Sequence, residues 1–130
     1  MSYCLDTSIV VALFRGDELL KSKFTELNSR GELFINYITL CELYKGAFLS
    51  ALSEKSLQEI DHLLNIVEVL EFNTDACVFF GKEYAKLNKL GKQTEELDLM
   101  IASIAKAYDL TVVTRNKKHF ENIDVKLEVW

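Results

Sequence analysis

The chain contains no proline, only five glycines and one tryptophan in 130 residues. Without proline, helices are stopped by glycine and started by polar caps, so those residues mark the element boundaries. No apolar run approaches the roughly 20 residues that cross a bilayer, so a membrane-spanning helix is excluded. No basic region precedes the first apolar run, and Asp6 interrupts it, so no secretory signal is expected. Cysteine is scarce and odd in number. Cys4, Cys41 and Cys77 form no Cys-x-x-Cys pair, and each lies in an apolar stretch. They read as small buried hydrophobes rather than disulfides or zinc ligands, which suits a reducing cytoplasm. Positive charge is also short, with 15 basic side chains against 20 acidic ones and a net charge of -5. That is the wrong sign for a nucleic-acid-binding domain, unless several carboxylates gather in one site and are neutralised by bound metal.

What is present is a globular composition, 49% hydrophobic and 27% charged, of a length that suits a single domain over residues 1–130. Tyr3-Cys4-Leu5 reads as a short buried strand that ends in Asp6, and Thr7-Ser8-Ile9-Val10-Val11 opens a helix running from about Ser8 to Arg15. Gly16 ends it. Asp17 caps a second helix to Arg30, with Leu19, Leu20, Phe24 and Leu27 as its apolar face and Gly31 as its stop. Leu33-Phe34-Ile35 is a second strand. Thr39 opens a helix with the stripe Leu40, Leu43, Tyr44, Ala47, Phe48 and Ala51, and Ser53 restarts one carrying Leu57, Ile60, Leu64 and Val67. Glu68 to Phe72 completes a third strand.

Asn73 to Asp75 caps a long helix with the stripe Ala76, Cys77, Phe80, Tyr84 and Leu87, closed by Gly91. Thr94 caps the next, with Glu95 and Glu96 at its positive end. Leu110 to Thr114 is a fourth strand, Arg115 to Glu121 a turn or short helix, and Val125 to Trp130 a fifth strand. Continuously apolar strands alternating with helices mean a parallel sheet covered on both faces, a three-layer α/β/α sandwich.

The chemistry-bearing residues are carboxylates. Asp6 stands where a strand hands over to a helix, the edge at which open α/β sheets bind ligands. It either caps the helix or holds a cation. Asp98 lies one turn inside Leu97–Ala105, a helix that is apolar nearly all round. A carboxylate there is costly unless it meets a cation or several donors, and the polar residues ahead of it already serve the helix end, so Asp98 reads as functional. Glu42 fits a capping box with Thr39, and it lies opposite its helix's apolar stripe, as a solvated residue would. Asn116 follows the fourth strand at a turn, and Arg115, Lys117, Lys118 and His119 form a small basic cluster beside it, either solvated or in contact with phosphate. His62 reads as solvated, and neither histidine has a second ligand at metal spacing along the chain.

Taken together, Leu5-Asp6-Thr7-Ser8, Thr39-x-x-Glu42-Leu43-x-x-Gly46, Asp98-x-x-Ile101-Ala102 and Val113-Thr114-Arg115-Asn116-x-x-His119-Phe120 resemble the PIN-domain family. More narrowly they resemble the VapC-type ribonuclease toxins of prokaryotic toxin–antitoxin pairs. The resemblance implies a five-stranded parallel sheet of order 3-2-1-4-5 and an endoribonuclease dependent on Mg²⁺ or Mn²⁺. It implies that water activated by the metal cleaves RNA phosphodiester bonds, leaving 5′-phosphate and 3′-hydroxyl ends. Asp6, Glu42 and Asp98 match the family's acidic metal-site positions and Thr114 its hydroxyl position. The fourth acidic position falls on Asn116, whose amide brings no charge and leaves one or two ions open. Arg115, Lys117 and Lys118 become candidate substrate contacts. The implied partners are an RNA substrate, a cognate antitoxin and a second copy in a homodimer, with Leu49 apolar on the Glu42 side of its helix. The competing expectation is a degenerate PIN domain that binds RNA or antitoxin without catalysis, which Asn116 favours. A haloacid-dehalogenase-type phosphatase would need Asp where Ser8 stands, and Glu71-Phe72-Asn73 suits a receiver domain poorly.

Overall fold

The short apolar runs become strands, and the polar and glycine punctuation sets the helix ends. The computed structural model describes all residues, Met1–Trp130. In chain order the elements are β1 (Tyr3–Leu5), α1 (Thr7–Phe14), α2 (Glu18–Ser29), β2 (Leu33–Asn36), α3 (Tyr37–Leu49), α4 (Ser53–Ile66), β3 (Glu68–Leu70), α5 (Thr74–Lys89), α6 (Glu96–Ala107), β4 (Thr111–Thr114), α7 (Lys117–Phe120) and β5 (Leu127–Val129). The strands form one parallel sheet in the order β3-β2-β1-β4-β5, as the resemblance implies. None of the helices is long and apolar enough to cross a membrane.

Alternation along the strands divides the core in two. Leu5, Leu33, Ile35 and Val113 pack beneath α1 to α4 with Ile9, Val10, Leu43 and Ile60. Cys4 and Val112, the neighbouring residues on the same strands, face the other way against Leu99, Ile101, Ile104 and Leu87 of α5 and α6. Side chains on a strand alternate between faces, so these are the two sides of one sheet and the sandwich has three layers.

Several boundaries and faces differ from the expectation. α3 begins at Tyr37 rather than Thr39, because Asn36 at the end of β2 is its cap: Asn36 Oδ1 accepts from Thr39 N at 2.9 Å. No capping box forms between Thr39 and Glu42. α6 begins at Glu96, with Glu95 rather than Thr94 at its cap position. Leu19 is 87% exposed, and Phe48, Ala51, Cys77 and Tyr84 also face outward, so helical spacing alone overstated the width of those apolar stripes. Of the three cysteines only Cys4 is buried; Cys41 and Cys77 are exposed. On α5 the inner face instead buries Glu83, whose carboxylate is satisfied by Lys86 Nζ at 2.6 Å and Asp124 N at 2.5 Å.

Asn36 is fully buried, caps α3 and donates from Nδ2 to Cys4 Sγ at 3.4 Å. Asn36→Ala leaves Thr39 N without its partner in a dry setting. The expected loss is about 2 kcal/mol of unfolding free energy, read as a lower urea midpoint with unchanged slope.

Candidate active site

Strands β1 and β4 are neighbours, and the chain leaves β1 toward one side of the sheet and β4 toward the other, so a crevice opens past their carboxyl ends. The register pairs Leu5 with Val113, and Asp6 N donates to Val113 O at 2.9 Å. Asp6 and Thr114 therefore stand side by side. The capping reading of Asp6 holds, with Oδ1 accepting from Thr7 N at 2.6 Å, and the same side chain also faces the crevice. Its Oδ2 accepts from Thr114 Oγ1 at 2.7 Å and from Ser8 Oγ at 2.9 Å. Those two hydroxyls also hold the turn after β4: Ser8 Oγ accepts from Arg115 N at 3.1 Å and Thr114 Oγ1 from Asn116 N at 2.9 Å.

Glu42 is not the solvated residue expected of its helix face. It is half-buried, lines the crevice, and its Oε1 accepts from Thr7 Oγ1 at 2.6 Å. Asp98 is only 8% exposed, on an α6 that is buried on most sides. Its Oδ2 receives no hydrogen bond from the protein. His119 Nδ1 lies 3.0 Å from that oxygen, but without the alignment of an N–H···O bond. Burial pushes the Asp98 carboxyl up to about 6; the negative charge of Asp6 adds to the rise, His119 opposes it, and Glu95 and Glu42 raise it further.

These groups line one cleft of about 660 Å³ that holds five carboxylates (Asp6, Asp17, Glu42, Glu95 and Asp98), with Arg15, Arg115, Asn116 and His119 among them. The structure thus brings Asp6, Glu42, Asp98 and Asn116 to one place, with Thr114 directly behind Asp6. Of the basic cluster, Arg115 is in the cleft but engaged, its guanidinium 2.6 Å from Asp17 Oδ2, which holds the Asp17 carboxyl below its usual range. Lys117 and Lys118 are exposed and lie outside the lining. Sequence reasoning did not place Glu95 here, although it precedes Asp98 by three residues and so shares its side of the helix. It read His119 as solvated or in contact with phosphate and missed its place beside Asp98, which is 21 positions earlier in the chain and adjacent only through the fold.

As they stand, no three Asp, Glu, His or Cys side chains close on a single point. Two features nonetheless fit a hard divalent cation. The donors are carboxylate oxygens, and Asp98 presents a buried oxygen that the protein leaves unbonded. Burial raises the Asp98 carboxyl most and the like charge of Asp6 adds to the rise, a repulsion that a bound cation would relieve.

The model of the PIN domain family matches residues 3–126. The chain therefore belongs to the PIN-domain family. Within it, the chain is 33% identical over its whole length to Ribonuclease VapC1 of Haemophilus influenzae, covering 98% of that protein. It is 32% identical to the tRNA(fMet)-specific endonuclease VapC of Salmonella typhimurium, again over 100% of this chain and 98% of the relative. Among solved structures it superposes on VapBC2 of Rickettsia felis, bound to a DNA fragment from its promoter, with a TM-score of 0.93 and 30% identity, covering 100% and 99% of the two chains. By sequence and by fold it is a VapC-type member of the family.

The Asp98 carboxyl titrates near 6 in the fold, above its ordinary 3.8, so its protonation favours folding. That contribution is complete below about pH 4 and is lost as pH rises through 6. In protein stripped of divalent ions, Asp98→Asn is therefore expected to raise Tm by a few degrees at pH 7.5 and to leave it nearly unchanged at pH 4, by calorimetry. An equal gain at both pH values would show that Asp98 carries no buried charge.

Proposed function

We propose that this protein is an endoribonuclease that depends on Mg²⁺ or Mn²⁺ and acts as the toxin of a toxin–antitoxin pair in the cytoplasm. The observation that carries the reading is Asp98 Oδ2, a buried and unbonded carboxylate oxygen in a cleft shared with Asp6 and Glu42. The names of the relatives, ribonuclease and tRNA-specific endonuclease, support RNA as substrate. The solved VapBC assemblies support an antitoxin partner and, with the resemblance, a homodimer. Phe48, Leu49 and Leu52, exposed together at the α3–α4 corner, supply an apolar patch of the kind that protein partners cover.

Asp6, Glu42 and Asp98 would hold the ion. When bound, it supplies Lewis acidity, which activates water for attack on phosphorus and offsets charge on the transferring phosphate. The chain's own part is orientation. Thr114 and Ser8 fix the Asp6 carboxylate, and Thr7 fixes that of Glu42, so neither must reorganise when substrate arrives. Asn116 offers an uncharged amide at the cleft edge, suited to a hydrogen bond with water or a phosphate oxygen. Arg115 must exchange Asp17 for a phosphate before it touches substrate, so it contributes to RNA binding less than a free arginine would. Three carboxylates directed at one cleft favour hydrolysis over a purely binding role.

The test is cleavage of a total-RNA pool and of purified tRNA with Mg²⁺, Mn²⁺ or EDTA, with product ends mapped. Cuts are expected with either metal, with 5′-phosphate ends, and none with EDTA. Asp98→Asn should lower the rate at least a hundredfold while circular dichroism stays native. Cleavage that survives EDTA, or that persists within about tenfold in Asp98→Asn, would overturn the assignment.

A further inference from the structure

His119 is held at the cleft with some rigidity. It is the third residue of α7, whose next residue, Phe120, is buried in the core, and its backbone N donates to Asn116 O at 2.9 Å. Its side chain is 49% exposed, so burial does not account for its position. The ring nitrogen Nδ1 stands 3.0 Å from Asp98 Oδ2, yet that oxygen receives no hydrogen bond. The contact is at ion-pair distance, and its separation also has a second geometric meaning. Adjacent ligands on an octahedral ion with bonds of about 2.1 Å are about 3 Å apart. The pair has the dimension of one edge of such an octahedron.

We propose that His119 is a direct ligand of the divalent ion, sharing a coordination edge with Asp98, and that its nitrogen makes the site select Mn²⁺ over Mg²⁺. The inference rests on the divalent site proposed above. Mg²⁺ takes oxygen and keeps its waters, whereas imidazole suits later and softer divalent ions. Asp6, Glu42 and Asp98 alone form an all-oxygen set with little to separate the two metals. One nitrogen donor changes that order. It also gives His119 a purpose apart from the basic cluster around Arg115, since Lys117 and Lys118 lie outside the cleft lining.

The experiment uses the full chain, stripped with chelator and titrated with Mn²⁺ followed by electron paramagnetic resonance. Pulsed measurement on bound Mn²⁺ reads directly coordinated nitrogen, and Mg²⁺ affinity is read by competition. Wild-type protein should show nitrogen modulation that disappears in His119→Gln. His119→Gln should weaken Mn²⁺ about tenfold and Mg²⁺ less than about threefold, because only the Mn²⁺ complex gains from nitrogen. Asp98→Asn should weaken both. Bound Mn²⁺ without nitrogen modulation, lost in Asp98→Asn, would overturn His119 as a ligand and leave the divalent site standing. Equal losses of both metals in His119→Gln would overturn the selectivity. Wild-type protein that binds neither metal would overturn this inference and the metal-dependent reading together.

Discussion

The parallel pairing of β1 with β4 is the constraint on which the rest depends. It places the carboxyl ends of two strands more than a hundred residues apart in the chain at one edge, and Asp6 N donating to Val113 O fixes their register. Because chain connections leave those strands in opposite directions, no helix closes the gap between them. The crevice is thus a consequence of topology before any side chain is considered. A slip of one residue would turn Leu5 and Val113 out of one core half and Cys4 and Val112 out of the other. Burial on both faces of the sheet therefore enforces the position of Asp6.

Given that position, the Thr7 backbone N–H and the hydroxyls of Ser8 and Thr114 solve a local problem. Asp6 is almost fully buried, and an ionised carboxylate in such a place needs donors. It has three, and one of them is the helix N–H that it caps. Asp98 has none on Oδ2, and the negative charges of Asp6, Glu95 and Glu42 weigh on it with only His119 opposing them. The contrast between the two carboxylates separates an acid whose oxygens the fold satisfies from one with an oxygen that it leaves without a donor.

Much of this was legible in the residues. Period and punctuation located every strand, and an apolar helix interrupted by Asp98 marked a buried charge without any structure. The errors are of two kinds. The neighbours of Thr39 and Thr94 suit a helix start, but tertiary placement gives the cap of α3 to Asn36, which β2 delivers to the right spot. Leu19, Phe48, Cys77 and Tyr84 fall on apolar stripes by helical spacing yet face outward, because spacing fixes a direction around a helix but not how wide a strip its neighbours cover. What the sequence could not convey is long-range adjacency. Glu42 to Thr7, Arg115 to Asp17 and His119 to Asp98 are pairs made by the sheet order, and no local pattern reports them.

The amide at Asn116 follows the same electrostatic logic. The cleft already gathers five carboxylates against Arg15 and Arg115, and one of those arginines is committed to Asp17. Glu95 enters the cleft from the cap position of α6, close enough to raise the Asp98 carboxyl, whereas Glu96 lines a different surface depression. Negative charge has thus been added on the α6 side while the turn after β4 carries none at Asn116. An acid at both places would increase the repulsion that Asp98 already bears. An amide at the turn keeps an oxygen donor there without that cost. Counting acids at aligned positions therefore misjudges this site: its charge is set by what the fold brings within reach of Asp98, and Glu95 lies outside the four motifs that resemble the family.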